Sequence, residues 1–251
     1  MSGPRSRAFT SATEPRFWWH RQNDYVPPIY ASLTDQEWAL MEAWYAETTQ
    51  QNLVGECAVP IMSLLHGLIT GNGIRRIVQL GTFSGYSTLL LGFFLRQMRA
   101  ERGLYTFEIG ESLCAYTRGW LERAGLGSFV RVEFRSSVDL SATALAREYL
   151  GAAPKLIFID SSHEYASTLA ELDLWYPELA PGGFIVLHDS SEFAAGFDAT
   201  KQGGVHRALR EWRDAHPEAE AFSMNHNVRA QETPGMVYQD FCGAGLIQKP
   251  V

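Results

Sequence analysis

The chain lacks several features that would each point to a particular class of protein. It has only three cysteines in 251 residues, Cys57, Cys114 and Cys242. They are odd in number and form no CxxC pair, so neither a disulfide framework nor a zinc knuckle is predicted. We therefore expect three reduced thiols that pack inside a cytoplasmic protein.

Long apolar runs and an excess of basic residues are also missing. The longest strongly apolar run, residues 89–95, is too short to span a membrane, and the N-terminus lacks the apolar stretch of a signal peptide. The 28 acidic residues outnumber the 21 basic ones and give a net charge of −7, which argues against a nucleic-acid partner. With 46% hydrophobic residues, the chain is nevertheless rich enough in apolar side chains for a full globular core.

Composition divides the chain into three parts. Residues 1–16 are rich in Ser, Pro, Arg and Thr, which predicts a mobile leader, and residues 17–75 form a predicted helical cap rich in aromatic residues. Thr34 and Glu37 make a capping box that starts a helix through Glu47. Two interpretations of the cap are open: a helix that covers the edge of the core, or an oligomer contact or lid, and we expect a homo-oligomer. The aromatic residues of the cap are Phe17, Trp18, Trp19, Tyr25, Tyr30, Trp38, Trp44 and Tyr45.

From residue 76 to residue 251, short apolar runs alternate with helical periodicity, which is typical of βαβ units. We predict an α/β fold with a doubly wound, mostly parallel seven-stranded sheet, helices on both faces and an antiparallel C-terminal edge. The whole chain then forms one domain. The predicted strands are 77–80, 104–109, 130–135, 156–160, 184–188, 221–225 and 245–248.

The turn after the first predicted strand contains two glycines but is not a dinucleotide loop. Counted from Gly81, a GxGxxG pattern requires glycine at the positions that Phe83 and Tyr86 occupy, and a phenylalanine prevents the close approach of a pyrophosphate. Gly81 and Gly85 still allow a tight turn into a helix N-terminus. The sequence therefore argues against an NAD-dependent oxidoreductase.

Polar residues near this turn suit a nucleoside that has no diphosphate. Ser84 and Ser87 offer hydroxyl donors, and Glu108 ends the next strand, where a carboxylate can accept both hydroxyls of a ribose. S-adenosylmethionine is a ligand with these properties, and we predict it as the cofactor.

Residues 78–88, Val-Gln-Leu-Gly-Thr-Phe-Ser-Gly-Tyr-Ser-Thr, resemble motif I of class I S-adenosylmethionine-dependent O-methyltransferases, particularly the catechol and caffeoyl-CoA type. The resemblance extends over about residues 55–190 and implies a Rossmann-like fold. It also implies that the residues of the first turn hold the methionine end, that Glu108 holds the ribose, and that Ser137, or the neighbouring Ser136, lies near the adenine. The implied cofactor-binding residues are Gly81, Thr82, Ser84, Gly85, Ser87, Glu108, Ser137 and Asp160.

Four chemically active side chains follow the fourth and fifth predicted strands. Asp160 and His163 come after one strand, and His188 and Asp189 end the next, so we expect all four at one edge of the sheet. Converging carboxylates repel each other unless a cation, a shared proton or hydrogen bonds compensate them. A divalent metal ion such as Mg²⁺ would serve, and His163 is suited to accept a hydroxyl proton.

The segments 158–165 and 181–190 are similar to metal-dependent O-methyltransferases of natural-product sugars and to the cephalosporin-hydroxylase-like family. This resemblance implies that Asp160 and Asp189 are metal ligands and that His163 is the general base, with Asp189 also catalytic. The sequence departs from the sugar enzymes at His188, where they have a glutamate ligand, and from the catechol type at Ser190, where they have asparagine. If His188 is a third ligand, Mn²⁺ or Fe²⁺ is an alternative to Mg²⁺, and a metal-free enzyme that uses His163 or His188 also stays open.

We therefore predict an enzyme that methylates a hydroxyl of a small molecule, with a sugar of a secondary metabolite as the expected acceptor. The glycine-rich segment 191–204 is long for its position, and long loops at this edge are commonly lids. Together with the aromatic cap it is predicted to form the acceptor pocket. The alternatives are a catechol-type O-methyltransferase and a non-catalytic subunit that binds S-adenosylmethionine.

Overall fold

A computed structural model of the protein describes residues 26–251. The predicted leader, residues 1–16, and the first part of the cap, residues 17–25, lie outside the described residues. The helices are α1 (Pro28–Ala31), α2 (Asp35–Gln50), α3 (Val59–Asn72), α4 (Tyr86–Gln97), α5 (Glu111–Arg123), α6 (Ala142–Leu150), α7 (Tyr165–Trp175) and α8 (Gly204–Ala215). The strands are β1 (Ile77–Leu80), β2 (Leu104–Glu108), β3 (Val130–Phe134), β4 (Leu156–Ile159), β5 (Phe184–His188), β6 (Glu220–Met224) and β7 (Ala244–Gln248).

The seven strands form one sheet in the order β3-β2-β1-β4-β5-β7-β6. The first five strands are parallel, whereas β7 runs antiparallel to both of its neighbours. β1 lies in the middle of the parallel part and pairs with both β2 and β4, so the turns after these three strands are neighbours. The predicted α/β class, the doubly wound order and the antiparallel edge are confirmed.

Several predicted strands extend one residue too far. Ile109, Arg135 and Asp160 were each expected to end a strand, but each lies just beyond the strand, at the start of the turn that follows. Asn225 lies outside β6 because its φ of 57° belongs to a turn rather than to an extended strand.

Hydrophobic side chains cover both faces of the sheet because successive strand residues point to opposite sides. In β1, Ile77 packs against the core formed with α2, α3, α4 and α5, whereas Val78 packs against the core formed with α6, α7 and α8. Both residues are fully buried. The sheet thus has helices on both faces, as predicted.

The described part of the cap confirms the predicted helix start. The Thr34 side chain accepts from the backbone N–H of Glu37 at 3.2 Å, and the Glu37 carboxylate accepts from the backbone N–H of Thr34 at 2.7 Å. These two bonds satisfy N–H groups that the first turn of a helix leaves without partners.

Aromatic residues of the cap pack inside the chain and brace the turn after β1. Tyr30, Trp44 and Tyr45 are almost completely buried. The Trp44 indole N–H donates to the carbonyl of Ser84 at 2.8 Å, and the hydroxyls of Tyr30 and Tyr86 are 2.5 Å apart. For these residues the structure favours a helix that covers the core, because buried side chains offer no surface to another subunit.

The three cysteines form no disulfide, as predicted. Among the described residues, no helix is both long enough and apolar enough to cross a membrane.

The indole hydrogen bond of Trp44 can be tested by replacing Trp44 with Phe. The change leaves the Ser84 carbonyl without its donor, so we expect a lower free energy of unfolding, measured by urea denaturation. Trp212→Phe is the matched control, because Trp212 is equally buried but its indole N–H has no hydrogen-bond partner within the described part of the chain. Trp44→Phe should cost about 1–2 kcal/mol more than the control, and equal losses would contradict this role of the indole.

Candidate functional site

A cavity of about 480 Å³ lies at the carboxyl ends of the parallel strands. Its walls are the turns after β1, β2, β3 and β4, residues 54–57 before α3, and part of α7. Clefts of this size at this edge of an α/β sheet are where small ligands usually bind. The structure thus brings most of the predicted site residues together around one cavity.

The two predicted glycines of the first turn are required by its geometry. Gly81 has a φ of 91°, and a Cβ atom there would lie 2.0 Å from the carbonyl oxygen of Asp160. Gly85 has a φ of 93°, and its Cβ would lie 2.9 Å from Thr117 Cγ2. Both positions combine a conformation that side chains rarely adopt with a close contact, so only glycine fits.

Three larger residues around the site also have positive φ. They are Phe83 at 46°, His163 at 59° and Asp189 at 59°, and each lies in the turn that follows a different parallel strand. Such conformations are strained for residues with side chains and are enriched at functional sites. The strain supports a functional assignment of these turns.

Glu108 is held as a hydrogen-bond acceptor at the cavity wall. Its Oε2 accepts from the backbone N–H groups of Phe83 at 2.8 Å and of Thr82 at 3.4 Å, and its Oε1 accepts from the backbone N–H of Gly110 at 2.9 Å. A carboxylate oxygen can accept two hydrogen bonds. Oε1 therefore keeps the capacity to accept a hydroxyl group of a ligand, as the predicted ribose site requires.

The hydroxyl groups of the first turn differ in what they can offer a ligand. Thr82 lines the cavity, but its hydroxyl is 2.6 Å from that of Thr106 and donates to the Phe107 carbonyl at 3.1 Å, so this hydroxyl faces the sheet. The Ser84 hydroxyl is 3.5 Å from the carbonyl of Leu53. These protein contacts arise because both side chains are buried beneath the turn.

Ser87 keeps its hydroxyl proton available. Its Oγ accepts from Nε2 of Gln79 at 2.9 Å, so the proton is free to be donated elsewhere. Ser87 lines the cavity at the N-terminus of α4, where backbone N–H groups also favour an anionic ligand group. Gln79 itself is fully buried and also donates to the Gly81 carbonyl at 2.7 Å.

The turns after β4 and β5 bring the four predicted charged residues together. Asp160 and His163 line the cavity, and Asp189 lies behind them. His163 Nδ1 is 3.0 Å from Asp189 Oδ2, and His188 Nδ1 is 3.3 Å from the same oxygen. His188 Nδ1 is also 3.4 Å from Asp160 Oδ1.

Asp240 completes this cluster from the loop before β7. It is buried, and its Oδ2 lies 3.2 Å from Nε2 of His188. Burial on its own lowers the pKa of His188, but the charges of Asp189 and Asp240, together with the hydrogen bonds, outweigh burial and hold the pKa well above its ordinary value.

His188 calls for a positive charge because both of its ring nitrogens face carboxylate oxygens. A lone pair on Nδ1 would face the oxygens of Asp160 and Asp189 without any attraction, so either a proton or a metal ion must lie there. Histidines that bind metals usually donate their other ring N–H to a carboxylate, which is the arrangement between Nε2 and Asp240. The donor set therefore fits a divalent cation.

Two groups of possible ligand atoms are close enough to share a cation. Donor atoms of Asp160, His163 and Asp189 lie within 4.8 Å of one another, and so do donor atoms of His188, Asp189 and Cys242. A site that combines carboxylate oxygens with an imidazole nitrogen suits Mn²⁺ or Fe²⁺ better than it suits an ion that prefers oxygen ligands alone.

His163 is oriented by Asp189. Burial lowers the pKa of His163, but the hydrogen bond and the charge of Asp189 together outweigh burial, so the pKa lies above its ordinary value. The ring of Phe197 packs edge-on beside His163, with 6.0 Å between the ring centroids.

The segment 191–204, predicted as a lid, is anchored to the body of the protein. Ala194–Phe197 form a short 3₁₀ helix. The buried Asp198 carboxylate accepts from the backbone N–H groups of Thr200 at 2.8 Å and of Gly204 at 2.9 Å. The segment thus forms a folded wall beside His163.

Three functional candidates were missed in the sequence. Gln79 is the one polar residue in the four-residue strand β1, and Glu171 occupies the stripe of α7 that also contains the buried Thr168, Leu172 and Trp175. Periodicity assigns both positions to the core, so a polar side chain there is a signal that could have identified Gln79 and Glu171. Asp240 had no such signal, because it lies in an irregular loop.

The sequence of the site matches a known protein family. Residues 78–190 match the family described as methyltransferase domain. The resemblance to class I methyltransferases that motif I indicates is confirmed by this match and by the fold. No curated protein matches the chain significantly.

Solved structures with the same fold include several methyltransferases. An O-methyltransferase from Bacillus cereus in complex with SAH is 22% identical, with 87% of this chain and 92% of that chain covered and a TM-score of 0.66. TomG from Streptomyces achromogenes, an O-methyltransferase involved in tomaymycin synthesis and bound to SAM, is 22% identical, with coverages of 88% and 92% and a TM-score of 0.60.

A third similar structure is the SAH-bound methyltransferase PaMTH1 from Podospora anserina. It is 15% identical, with coverages of 97% and 98% and a TM-score of 0.65. Similarities at these levels of identity establish the fold of the chain.

Because Gly81 lies so close to Asp160, adding a single methyl group at position 81 should strongly lower the stability of the protein. Gly81→Ala should lower the free energy of unfolding by more than about 3 kcal/mol, because the new Cβ overlaps the Asp160 carbonyl in a strained conformation. Gly119→Ala is the control: Gly119 lies within α5 with open space at its Cβ, so stability should rise by about 0.5–1 kcal/mol. Thermal and urea denaturation measure both, and a Gly81→Ala protein as stable as the wild type would contradict this account of the turn.

Proposed function

We propose that the protein transfers a methyl group from S-adenosylmethionine to a hydroxyl oxygen of a small molecule. The observation that carries this proposal is the position of Glu108 and of the His163–Asp189 pair at one cavity. Glu108 is prepared to accept ribose hydroxyls, and the histidine pair is placed to accept a proton. The structural neighbours from Bacillus cereus and Streptomyces achromogenes, both O-methyltransferases bound to SAH or SAM, support the same chemistry.

The cofactor fits the cavity with its amino-acid end at the first turn. The Ser87 hydroxyl and the backbone N–H groups that begin α4 are donors for its carboxylate, while Gly81 and Gly85 let the backbone come close. Glu108 accepts the ribose hydroxyls, and Ser137 and Asp160 lie farther along the same wall. Ser84 contributes its backbone, which Trp44 holds in place.

The reaction follows from the position of His163. As the acceptor oxygen attacks the methyl carbon, a new C–O bond forms, the C–S bond breaks, and the hydroxyl proton moves to His163. Because the Nδ1–H of His163 donates to Asp189, the lone pair of Nε2 is the one that takes the proton. Asp189 thus keeps the ring in the useful tautomer.

A divalent cation bound by Asp160, Asp189 and His188 would make the acceptor hydroxyl more acidic. Asp240 orients His188 for such a role by accepting from Nε2. Such a site favours acceptors that carry two neighbouring hydroxyls, as a sugar of a secondary metabolite or a catechol does.

The direct test is turnover. Purified protein is incubated with S-adenosylmethionine and either a methyl glycoside or 3,4-dihydroxybenzoate, and the release of S-adenosylhomocysteine is followed together with the mass of the product. We expect methylation of an oxygen in at least one acceptor class and binding of S-adenosylhomocysteine by calorimetry. Binding of NAD without binding of S-adenosylhomocysteine would overturn the proposal.

The role of His163 predicts a loss of turnover without a loss of cofactor binding. His163→Ala should lower kcat by roughly 10²–10⁴-fold, the usual contribution of a general base. The affinity for S-adenosylhomocysteine should stay close to that of the wild type. His66→Ala is the control, because His66 lies on α3 against Phe94 and away from the cavity lining. Unchanged turnover in His163→Ala would remove this residue from the mechanism.

The cation at His188 can be identified by chelation. We expect EDTA treatment to lower turnover and Mn²⁺ or Mg²⁺ to restore it, with one Mn²⁺ bound per chain in calorimetry. Asp160→Asn should weaken Mn²⁺ binding because a carboxylate ligand becomes a neutral amide, whereas Asp173→Asn, at an exposed position on α7, should not. Full turnover of a metal-free protein would show that the cation is a proton on His188.

A further inference from the structure

Glu171 is a buried carboxylate in the cavity wall, and the proposed reaction assigns it no role. Only 1% of the residue is exposed, although it lines the cavity from α7. Within residues 26–251, no basic side chain forms an ion pair with it. Its partners are two serines: Ser137 Oγ donates to Oε1 at 2.5 Å, and Ser161 Oγ donates to Oε2 at 2.8 Å.

These two hydrogen bonds fix the direction in which the serine hydroxyls point. A carboxylate can only accept, so the protons of Ser137 and Ser161 are directed at Glu171. The two hydroxyl oxygens can therefore offer a ligand only their lone pairs, which accept hydrogen bonds. Burial outweighs the hydrogen bonds from the two serines and raises the pKa of Glu171 to about 7, so the ionised form prevails above neutral pH. This wall therefore accepts hydrogen bonds from a ligand but donates none through these side chains.

The opposite end of the cavity has the reverse polarity. Ser87 accepts from Gln79 and so keeps its own proton for donation, next to the N-terminal N–H groups of α4. α4 packs on one face of the sheet and α7 on the other, with Glu108 between them at the edge. A ligand that crosses this edge meets donors at Ser87 and acceptors at Ser137 and Ser161.

We propose that Glu171 determines base specificity by making Ser137 and Ser161 acceptors for the exocyclic amino group of adenine. The inference rests on the proposed function and adds a selectivity to it. Adenine presents an N–H₂ donor at this position, whereas hypoxanthine presents a carbonyl acceptor that would face the two serine oxygens without a proton between them. Such a mismatch leaves buried polar groups unpaired, which disfavours binding of the wrong base. Glu171 acts through the serines and is a positioning residue.

The test compares two ligands that differ only at this position, S-adenosylhomocysteine and S-inosylhomocysteine. Their affinities are measured by calorimetry at about pH 8.5, where the Glu171 carboxyl is ionised. We expect the wild type to prefer the adenosyl compound by more than roughly tenfold. In Glu171→Gln, the side-chain amide donates to one serine oxygen, whose own proton is then free to turn into the cavity. The preference should fall by about tenfold, with the inosyl compound binding more tightly than it does to the wild type.

The ratio of the two affinities separates this role from a structural one. A variant that only distorts the cavity would weaken both ligands in parallel and leave the ratio unchanged. Glu122→Gln, at an exposed position on α5, is the control and should behave as the wild type. Ser137→Ala removes one acceptor without changing the carboxylate, and it should also lower the ratio, so a poorly folding Glu171→Gln does not end the test.

Each outcome has a distinct meaning. If the wild type binds neither ligand, the proposed cofactor is wrong. If it binds S-adenosylhomocysteine but the ratio is unchanged in both Glu171→Gln and Ser137→Ala, the cofactor stands and the role of Glu171 is overturned.

Discussion

The contact between the backbone of Gly81 and that of Asp160 connects the two halves of the site. A side chain at Gly81 would overlap the Asp160 carbonyl oxygen at 2.0 Å, so the turns after β1 and β4 can pack this closely only around a glycine. The backbone N–H of Asp160 also donates to the carbonyl of Leu80 at 2.9 Å. The turn proposed to hold the amino-acid end of the cofactor and the residue that opens the charged cluster are therefore in direct backbone contact.

Three strained backbone positions lie around that contact. Phe83, His163 and Asp189 all have positive φ, at a cost of roughly 1–3 kcal/mol each. The surrounding hydrogen bonds offset this cost: the Phe83 N–H donates to Glu108, and His163 and Asp189 bind each other. The same bonds give these residues their proposed roles, so the local strain and the chemistry have a common structural origin.

Much of the fold and part of the site could be predicted from the sequence, because the apolar runs show where the strands end. Short apolar runs located all seven strands, and the residues directly after them, from Gly81 to Asp189, were correctly expected at one edge. The direction of a hydroxyl could not be predicted in this way. Whether the hydroxyl of Thr82 faces the sheet and that of Ser87 faces the cavity depends on Thr106 and Gln79, which belong to the sheet interior.

Two further residues escaped prediction for different physical reasons. Glu171 lies where helical periodicity expects an apolar side chain, so its meaning depends on the two serines that approach it from other turns. Asp240 belongs to a loop without periodicity, and only the pairing of β7 with β5 brings it to His188. Contacts made by irregular segments across the sheet are set by tertiary packing, which local patterns do not encode.

The cation at His188 matters for the proposed reaction as well as for folding. Methyl transfer starts from a positively charged sulfonium and ends with a neutral thioether, so charge disappears from the donor as the transition state forms. Uncompensated carboxylates at Asp160 and Asp189 would stabilise the charged donor more than the transition state and would slow the step. A positive charge held between them at Nδ1 of His188 removes that penalty. The positive charge on His188 thus has two effects. It stabilises the three buried aspartates in the fold, and it allows them to lie next to a cationic cofactor without slowing its reaction.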